Sequence, residues 1–112
     1  MRILKVKIGD DNDLGKEYSS KVIAAINTLK KYDDFEVKDF VKKNEISIEK
    51  LIKLIDGKKE NAVIAGFKLL ENSANQFYKA NNVSVNLGHD LNILGEAIAD
   101  WRNWFYHERG NW

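Results

Sequence analysis

The sequence of 112 residues contains no cysteine and no proline. Without cysteine the chain has no disulfide, no thiolate metal ligand and no cysteine nucleophile, and without proline it has no proline-rich recognition segment. No apolar run approaches the roughly 18 residues of a membrane-spanning helix. Residues 1–8 alternate between polar and apolar side chains, so they lack the continuous apolar core of a signal peptide. These absences predict a cytoplasmic protein that is not held in a membrane.

Net charge is also nearly absent, because 18 basic residues oppose 17 acidic ones and the formal charge is +1. Lysine outnumbers arginine 15 to 3 and asparagine occurs 12 times, a bias that is typical of an AT-rich genome. Lysine content therefore does not by itself indicate nucleic-acid binding. With 44% hydrophobic residues, the chain can bury one modest core, and we predict a single domain over residues 1–112.

Apolar side chains recur every three or four residues over most of the chain, which is the spacing of amphipathic helices. About five helices are predicted: one from Tyr18 to about Tyr32, a short one around Phe40, one capped by Ser47 that ends before Gly57, one over about 60–79 and one over about 90–106. The predicted fold is a mainly α helical bundle.

Two short segments have instead the period-two spacing of a strand, namely residues 3–8 and 83–87. Because a lone strand leaves its backbone groups unpaired, we expect these segments to form a small two-stranded β-ribbon. The acidic stretch between Gly9 and Gly15 is expected to be a solvated turn that caps the first helix. Neither this stretch nor His89 has the spacing of a metal site, and we predict no metal.

Residues 37–55 have the layout of a helix-turn-helix, with a turn of about four residues before Ser47. Lys50 and Lys53 would then contact DNA phosphates. The second helix has no arginine, asparagine or glutamine on its outer face to read base edges, and Glu49 would face a polyanion. Two short helices joined by a polar turn are also common in helical bundles, so both interpretations stay open.

The last predicted helix ends in the segment Arg102-Asn103-Trp104-Phe105-Tyr106-His107. This segment resembles the R-N-x-x-x-H signature of the HEPN family, whose members are small helical-bundle domains with the signature near the end of an amphipathic helix. The resemblance implies metal-independent cleavage of RNA without a cofactor. It also implies a homodimer whose two motifs meet in a cleft at the interface.

The residue types suit this chemistry. Cleaving RNA without a metal requires proton transfer at the attacking 2′-hydroxyl and stabilisation of the charge on the phosphorane. Histidine exchanges protons near neutral pH, and His107 is the candidate for proton transfer. Arginine presents a fixed fork of donors, and Arg102 is the candidate that binds the phosphate and stabilises the transition state. Asn103 would orient the imidazole or the phosphate.

Helix geometry gives a second interpretation of the same residues. At 100° per residue, Arg102 and His107 lie about 140° apart around a straight helix. A polar stripe opposite the apolar one holds Glu96, Asp100, Asn103 and His107. His107 then belongs to a solvated face, unless the helix bends or ends before it, or two protomers combine their Arg102 and His107. Glu96 and Asp100 are secondary candidates that would hold the imidazole.

Five of the aromatic residues lie within positions 101–112. Trp101 and Phe105 follow the apolar stripe, whereas Trp104 and Tyr106 project to either side of the polar stripe. Large aromatics outside a core are typical of partner surfaces. The alternative is that Trp104 or Tyr106 packs against the N-terminal strand or the first helix.

The most specific functional prediction is a HEPN-type endoribonuclease that acts as a homodimer in a toxin–antitoxin or phage-defence role. The alternative from another class is a small non-enzymatic helical protein of a phage or mobile element. Such a protein would bind a protein partner through its aromatic C-terminus, or DNA through residues 37–55.

Overall fold

The computed structural model describes residues 6–108, and their side chains from Gly15 onward. Four α-helices follow one another: α1 Val6–Leu29, α2 Phe35–Asp56, α3 Glu60–Ala80 and α4 Val85–Glu108. The connecting loops are short, so consecutive helices run antiparallel. Each helix packs on its neighbours in sequence, and α4 also packs on α1, which closes a four-helix bundle.

The core consists of the inward apolar stripes of the four helices. Its largest fully buried side chains include Phe67 on α3 and Trp101 and Phe105 on α4. The Phe67 ring meets Trp101 edge-on at a centroid distance of 5.1 Å and lies 5.8 Å from the Phe105 ring. Edge-to-face contacts of this kind add to the free energy gained by burial. This cluster fixes the rotation of α4 about its axis near its C-terminal end.

The predicted β-ribbon is wrong. Residues 6–8 lie in the first turns of α1 and residues 85–87 in the first turn of α4, while residues 3–5 lie outside the described part of the chain. No segment of residues 6–108 is a strand. The acidic stretch between Gly9 and Gly15 is also helical and belongs to α1, so the turn predicted there is wrong as well.

Ser84 explains why residues 83–87, which were predicted to form a strand, contain the start of a helix instead. The Ser84 hydroxyl accepts a hydrogen bond of 3.1 Å from the backbone N–H of Leu87, which is the contact of a helix N-cap. Leu87 points into the core, whereas Val85 is exposed. The period-two spacing of Val85 and Leu87 therefore comes from one exposed and one buried residue within the first turn of α4.

The turn predicted between two helices in residues 37–55 is also wrong, because α2 is continuous through Asn44 and Ser47. Asn44 is buried, and its side-chain amide donates to the Phe40 carbonyl at 2.8 Å and to the Ser73 hydroxyl at 3.2 Å. Asn44, one of the polar residues on which the predicted turn depended, instead connects α2 to α3. The bundle consequently has four helices rather than five, and no helix-turn-helix is formed.

A polar cluster ties the end of α1 to the start of α4. The Tyr32 hydroxyl donates to Asp90 Oδ2 at 2.6 Å, and Lys31 Nζ lies 3.0 Å from the same oxygen. The hydrogen bond from Tyr32, followed by that from Lys31, lowers the pKa of the Asp90 carboxyl. The same Tyr32–Asp90 hydrogen bond, with a smaller contribution from burial, raises the pKa of Tyr32 to about 12.

None of the four described helices combines the length and the apolar character that crossing a membrane requires.

Candidate functional site at the end of the last helix

The segment that carries the predicted catalytic residues is helical throughout. Helix α4 continues without interruption to Glu108, so it does not end before His107. Trp101 and Phe105 are fully buried and face the core. Because these two residues fix which side of α4 points inward, helix geometry sets the directions of Arg102 and His107.

Arg102 lies on the side of α4 that faces α3. Its Nη1 is 2.6 Å from Glu71 Oε2, and its Nη2 donates weakly to Asn103 Oδ1 at 3.4 Å. About one third of the Arg102 side chain is exposed, as is a similar share of Glu71. The Arg102 Nε is buried and has no hydrogen-bond partner among the side chains and backbone groups of residues 15–108. The guanidinium is thus held in place by Glu71, and the Arg102 side chain stays partly exposed.

The other predicted site residues lie on the outer face of α4. The four members of the predicted polar stripe are all exposed: Glu96, Asp100, Asn103 and His107. Among the hydrogen bonds of the described side chains, none joins His107 to either predicted supporting carboxylate. The stripe is therefore a solvated helix face within one protomer.

A single protomer does not bring Arg102 and His107 together. They lie about 140° apart around α4 and about 7.5 Å apart along its axis. Of the other two predicted catalytic residues, Asn103 contacts Arg102, through its side-chain oxygen at 3.4 Å. In the part of the chain with described positions, no three histidine, aspartate or glutamate side chains are grouped as metal ligands would be.

The two aromatics outside the core stripe have different environments. Trp104 packs against α1, where its ring occupies the space beside Gly15 and lies 6.4 Å from the Tyr18 ring centroid. Tyr106 is 40% exposed on the opposite side of the outer face. Trp104 therefore packs against the first helix, which was one of the two predicted alternatives, whereas Tyr106 is exposed at the surface.

The lysines of the predicted DNA contact are also at the surface. Lys50 and Lys53 are exposed, but they project from the middle of the continuous helix α2. Without the turn before Ser47 there is no separate recognition helix to enter a groove. The contact predicted for these lysines consequently loses its structural basis.

Glu71 is the site residue that sequence reasoning missed. It lies on α3, 31 positions before Arg102, and nothing in its local pattern distinguishes it from the other acidic residues. Comparisons of the chain with protein-family models, with curated proteins and with solved structures find no match. The family resemblance therefore rests on Arg102, Asn103 and His107 alone.

Proposed function

We propose that the protein is a metal-independent endoribonuclease of the HEPN type that acts as a homodimer. The observation that supports this proposal is an exposed face of α4 that lies between Arg102 and His107, to one side of the polar stripe opposite the core. Asn103 and Tyr106 lie between them on that face and are both exposed. Measured from the middle of the face, the two flanking residues are about 70° to either side.

This placement favours an active site shared between two protomers. When two copies of α4 pack along this face, midway between Arg102 and His107, in parallel about a two-fold axis, each Arg102 lies on the same side of the helix pair as the partner's His107. An antiparallel pair would instead put both arginines on one side and both histidines on the other. The axial offset of about 7.5 Å leaves room for a phosphodiester between the two side chains. The dimer would hold two identical sites.

In each site, the reaction is a transesterification within the RNA. His107 accepts the proton of the 2′-hydroxyl, whose oxygen attacks the adjacent phosphorus; the bond from phosphorus to the 5′-oxygen breaks, and the leaving 5′-oxygen takes a proton from water. The products are a 2′,3′-cyclic phosphate and a 5′-hydroxyl. Arg102 donates hydrogen bonds to the non-bridging oxygens, on which negative charge accumulates. Glu71 acts as a positioning residue, because its 2.6 Å contact holds the guanidinium in one orientation.

The test is cleavage of an end-labelled single-stranded RNA in the presence of EDTA, with the termini of the products identified. We expect 2′,3′-cyclic phosphate ends, and loss of cleavage in His107→Ala and in Arg102→Gln while both variants keep their helical circular dichroism. The chain offers a matched control, because His89 is the other of its two histidines and is also exposed. His89→Ala should cleave like the wild type, and full activity in His107→Ala would refute the proposal.

A further inference from the structure

A cavity of about 380 Å³ opens at the end of the bundle where the α1–α2 and α3–α4 loops meet. Buried apolar side chains form part of its lining, namely Val37, Phe77 and Leu87. Asp34 and Glu36 also line it, and both residues are exposed. Leu87 lies 15 positions before Arg102 on α4, a distance of about 22 Å along the helix, so this cavity is separate from the proposed nuclease site.

The two carboxylates at the cavity are available to a ligand. Asp34 occupies the N-cap position of α2, but its side chain makes no capping hydrogen bond. Of the ion pairs among residues 15–108, none includes Asp34 or Glu36. The two lysines of the α1–α2 loop, Lys30 and Lys31, are instead paired with other carboxylates at 2.8 and 3.0 Å. The rim of the cavity therefore carries negative charge that these lysines do not neutralise.

Two exposed apolar residues are close in sequence to the residues that line this cavity. Phe35, between Asp34 and Glu36 in sequence, is 78% exposed, and Val85, two positions before Leu87, is 89% exposed. These are the highest exposures among the large hydrophobic residues with described side chains. Exposed aromatic and aliphatic side chains next to a pocket are typical of surfaces that bind another protein.

We propose that this end of the bundle binds a segment of a partner protein that inserts one arginine side chain into the cavity. The aliphatic stem of the arginine would contact Val37 and Phe77, and its guanidinium would bind the carboxylates of Asp34 and Glu36.

Phe35 and Val85 indicate that the arginine belongs to a protein segment. Apolar residues on either side of the arginine would cover these two side chains and remove them from water. A free amine or arginine would fill the cavity but leave both exposed. The partner is therefore expected to present an arginine flanked by large apolar residues.

The proposal is tested by fluorescence anisotropy of the full chain with a fluorescein-labelled peptide that carries Leu-Arg-Leu in a glycine-serine background. We expect saturable binding in the millimolar range or tighter. The double variant Asp34→Asn with Glu36→Gln should weaken binding about tenfold or more, as should replacing the peptide arginine with glutamine. Phe35→Ala should also weaken it.

Matched controls are available on the same helix. Glu49→Gln removes an exposed carboxylate outside the cavity, and Ile46→Ala removes an apolar side chain that is 61% exposed. Both variants should bind the peptide like the wild type. Thermal melts of every variant establish that it is folded before binding is compared.

Three outcomes would overturn the proposal: no binding of the peptide to the folded wild type, unchanged binding in the Asp34→Asn, Glu36→Gln variant, or binding of arginine methyl ester as tight as that of the peptide. The last result would identify a small cation as the ligand. The His107→Ala variant should bind the peptide normally, so failure of the nuclease proposal would not affect this test.

Discussion

At the scale of single residues, Gly15 provides space for Trp104. A Cβ atom at position 15 would lie 2.7 Å from Trp104 Cη2 and 2.8 Å from Cζ2, closer than side chains pack. Because the indole is rigid and half-buried between α1 and α4, it cannot move aside without separating the helices. Gly15→Ala should therefore destabilise the protein by about 1–2 kcal/mol in urea denaturation, since overpacking outweighs the gain in helix propensity.

Gly95 provides the matched control for that substitution. It also lies inside a helix, but no atom is within 4 Å of the position that its Cβ would take. Gly95→Ala should therefore stabilise the protein by about 0.5–1 kcal/mol, because alanine loses less backbone entropy in a helix. Equal effects of the two substitutions would contradict the close approach of Trp104 to α1.

A second prediction at the residue scale concerns pH and the Tyr32–Asp90 hydrogen bond. The measured quantity is the difference in unfolding free energy between the wild type and Tyr32→Phe. The folded pKa of Asp90 lies below its ordinary value of 3.8, so the stabilisation is complete above that value and is lost as the pH falls below it. The folded pKa of Tyr32 is raised from 10.0 to about 12, so the stabilisation is complete below pH 10 and is lost as the pH rises toward 12.

Urea denaturation at a series of pH values checks this dependence. The difference between the two proteins should be constant from about pH 5 to 9 and should shrink outside that window on both sides. A difference that stays constant between pH 10 and 12 would show that the tyrosine hydroxyl does not donate to Asp90 in solution.

At the scale of the helices, local patterns predicted α3 almost completely and misplaced the boundaries of the others. The apolar spacing over about 60–79 matches Glu60–Ala80, because the apolar positions keep the helical period on both sides of Asn72 and Ser73. In α2, Asn44 and Ser47 are residue types that favour turns and N-caps. Asn44 is instead buried against α3, a contact that sequence periodicity does not contain.

The continuity of α2 leads to a prediction about proline. Ile46 lies where the turn was predicted and is 61% exposed, so its replacement removes little from the core. Ile46→Pro should cost about 3 kcal/mol or more, because proline removes a hydrogen bond inside the helix and clashes with the preceding turn. Thermal and urea denaturation measure this loss, and a nearly unchanged stability would support a turn at this position after all.

Phe35 is the control position for a proline in the same helix. It is the first residue of α2, where proline is tolerated because its missing N–H has no partner within the helix. The preceding Asp34 has φ −60° and ψ 135°, a conformation that is favoured before proline. Phe35→Pro should therefore change the stability much less than Ile46→Pro.

At the scale of the whole molecule, the candidate site shows which part of a function can be predicted from local sequence. The apolar stripe of α4 correctly predicted that Trp101 and Phe105 are buried, and that His107 is exposed. The Arg102–Glu71 contact could not be predicted, because it joins two helices whose rotation is set by packing of the core. How two protomers would bring their Arg102 and His107 together also depends on the dimer interface, and the spacing of apolar residues in the sequence does not define that interface.

The sharing of each site between protomers can be tested by mixing two inactive variants. In a dimer of Arg102→Gln with His107→Ala, one site would combine the intact Arg102 of one protomer with the partner's intact His107. After subunit exchange at equal concentrations, half of the dimers are mixed, and each has one active site of two. The mixture should then show roughly a quarter of the wild-type cleavage rate, although each variant alone is inactive.

The same mixture separates this arrangement from a site formed within one protomer. If Arg102 and His107 of the same chain acted together, every protomer in the mixture would lack one of them, and no activity would return. Subunit exchange is established independently by native mass spectrometry of the two variants, one of them labelled with ¹⁵N. Exchange without recovered cleavage would refute the shared site, whereas recovery near one quarter requires that Arg102 and His107 act across a two-fold interface.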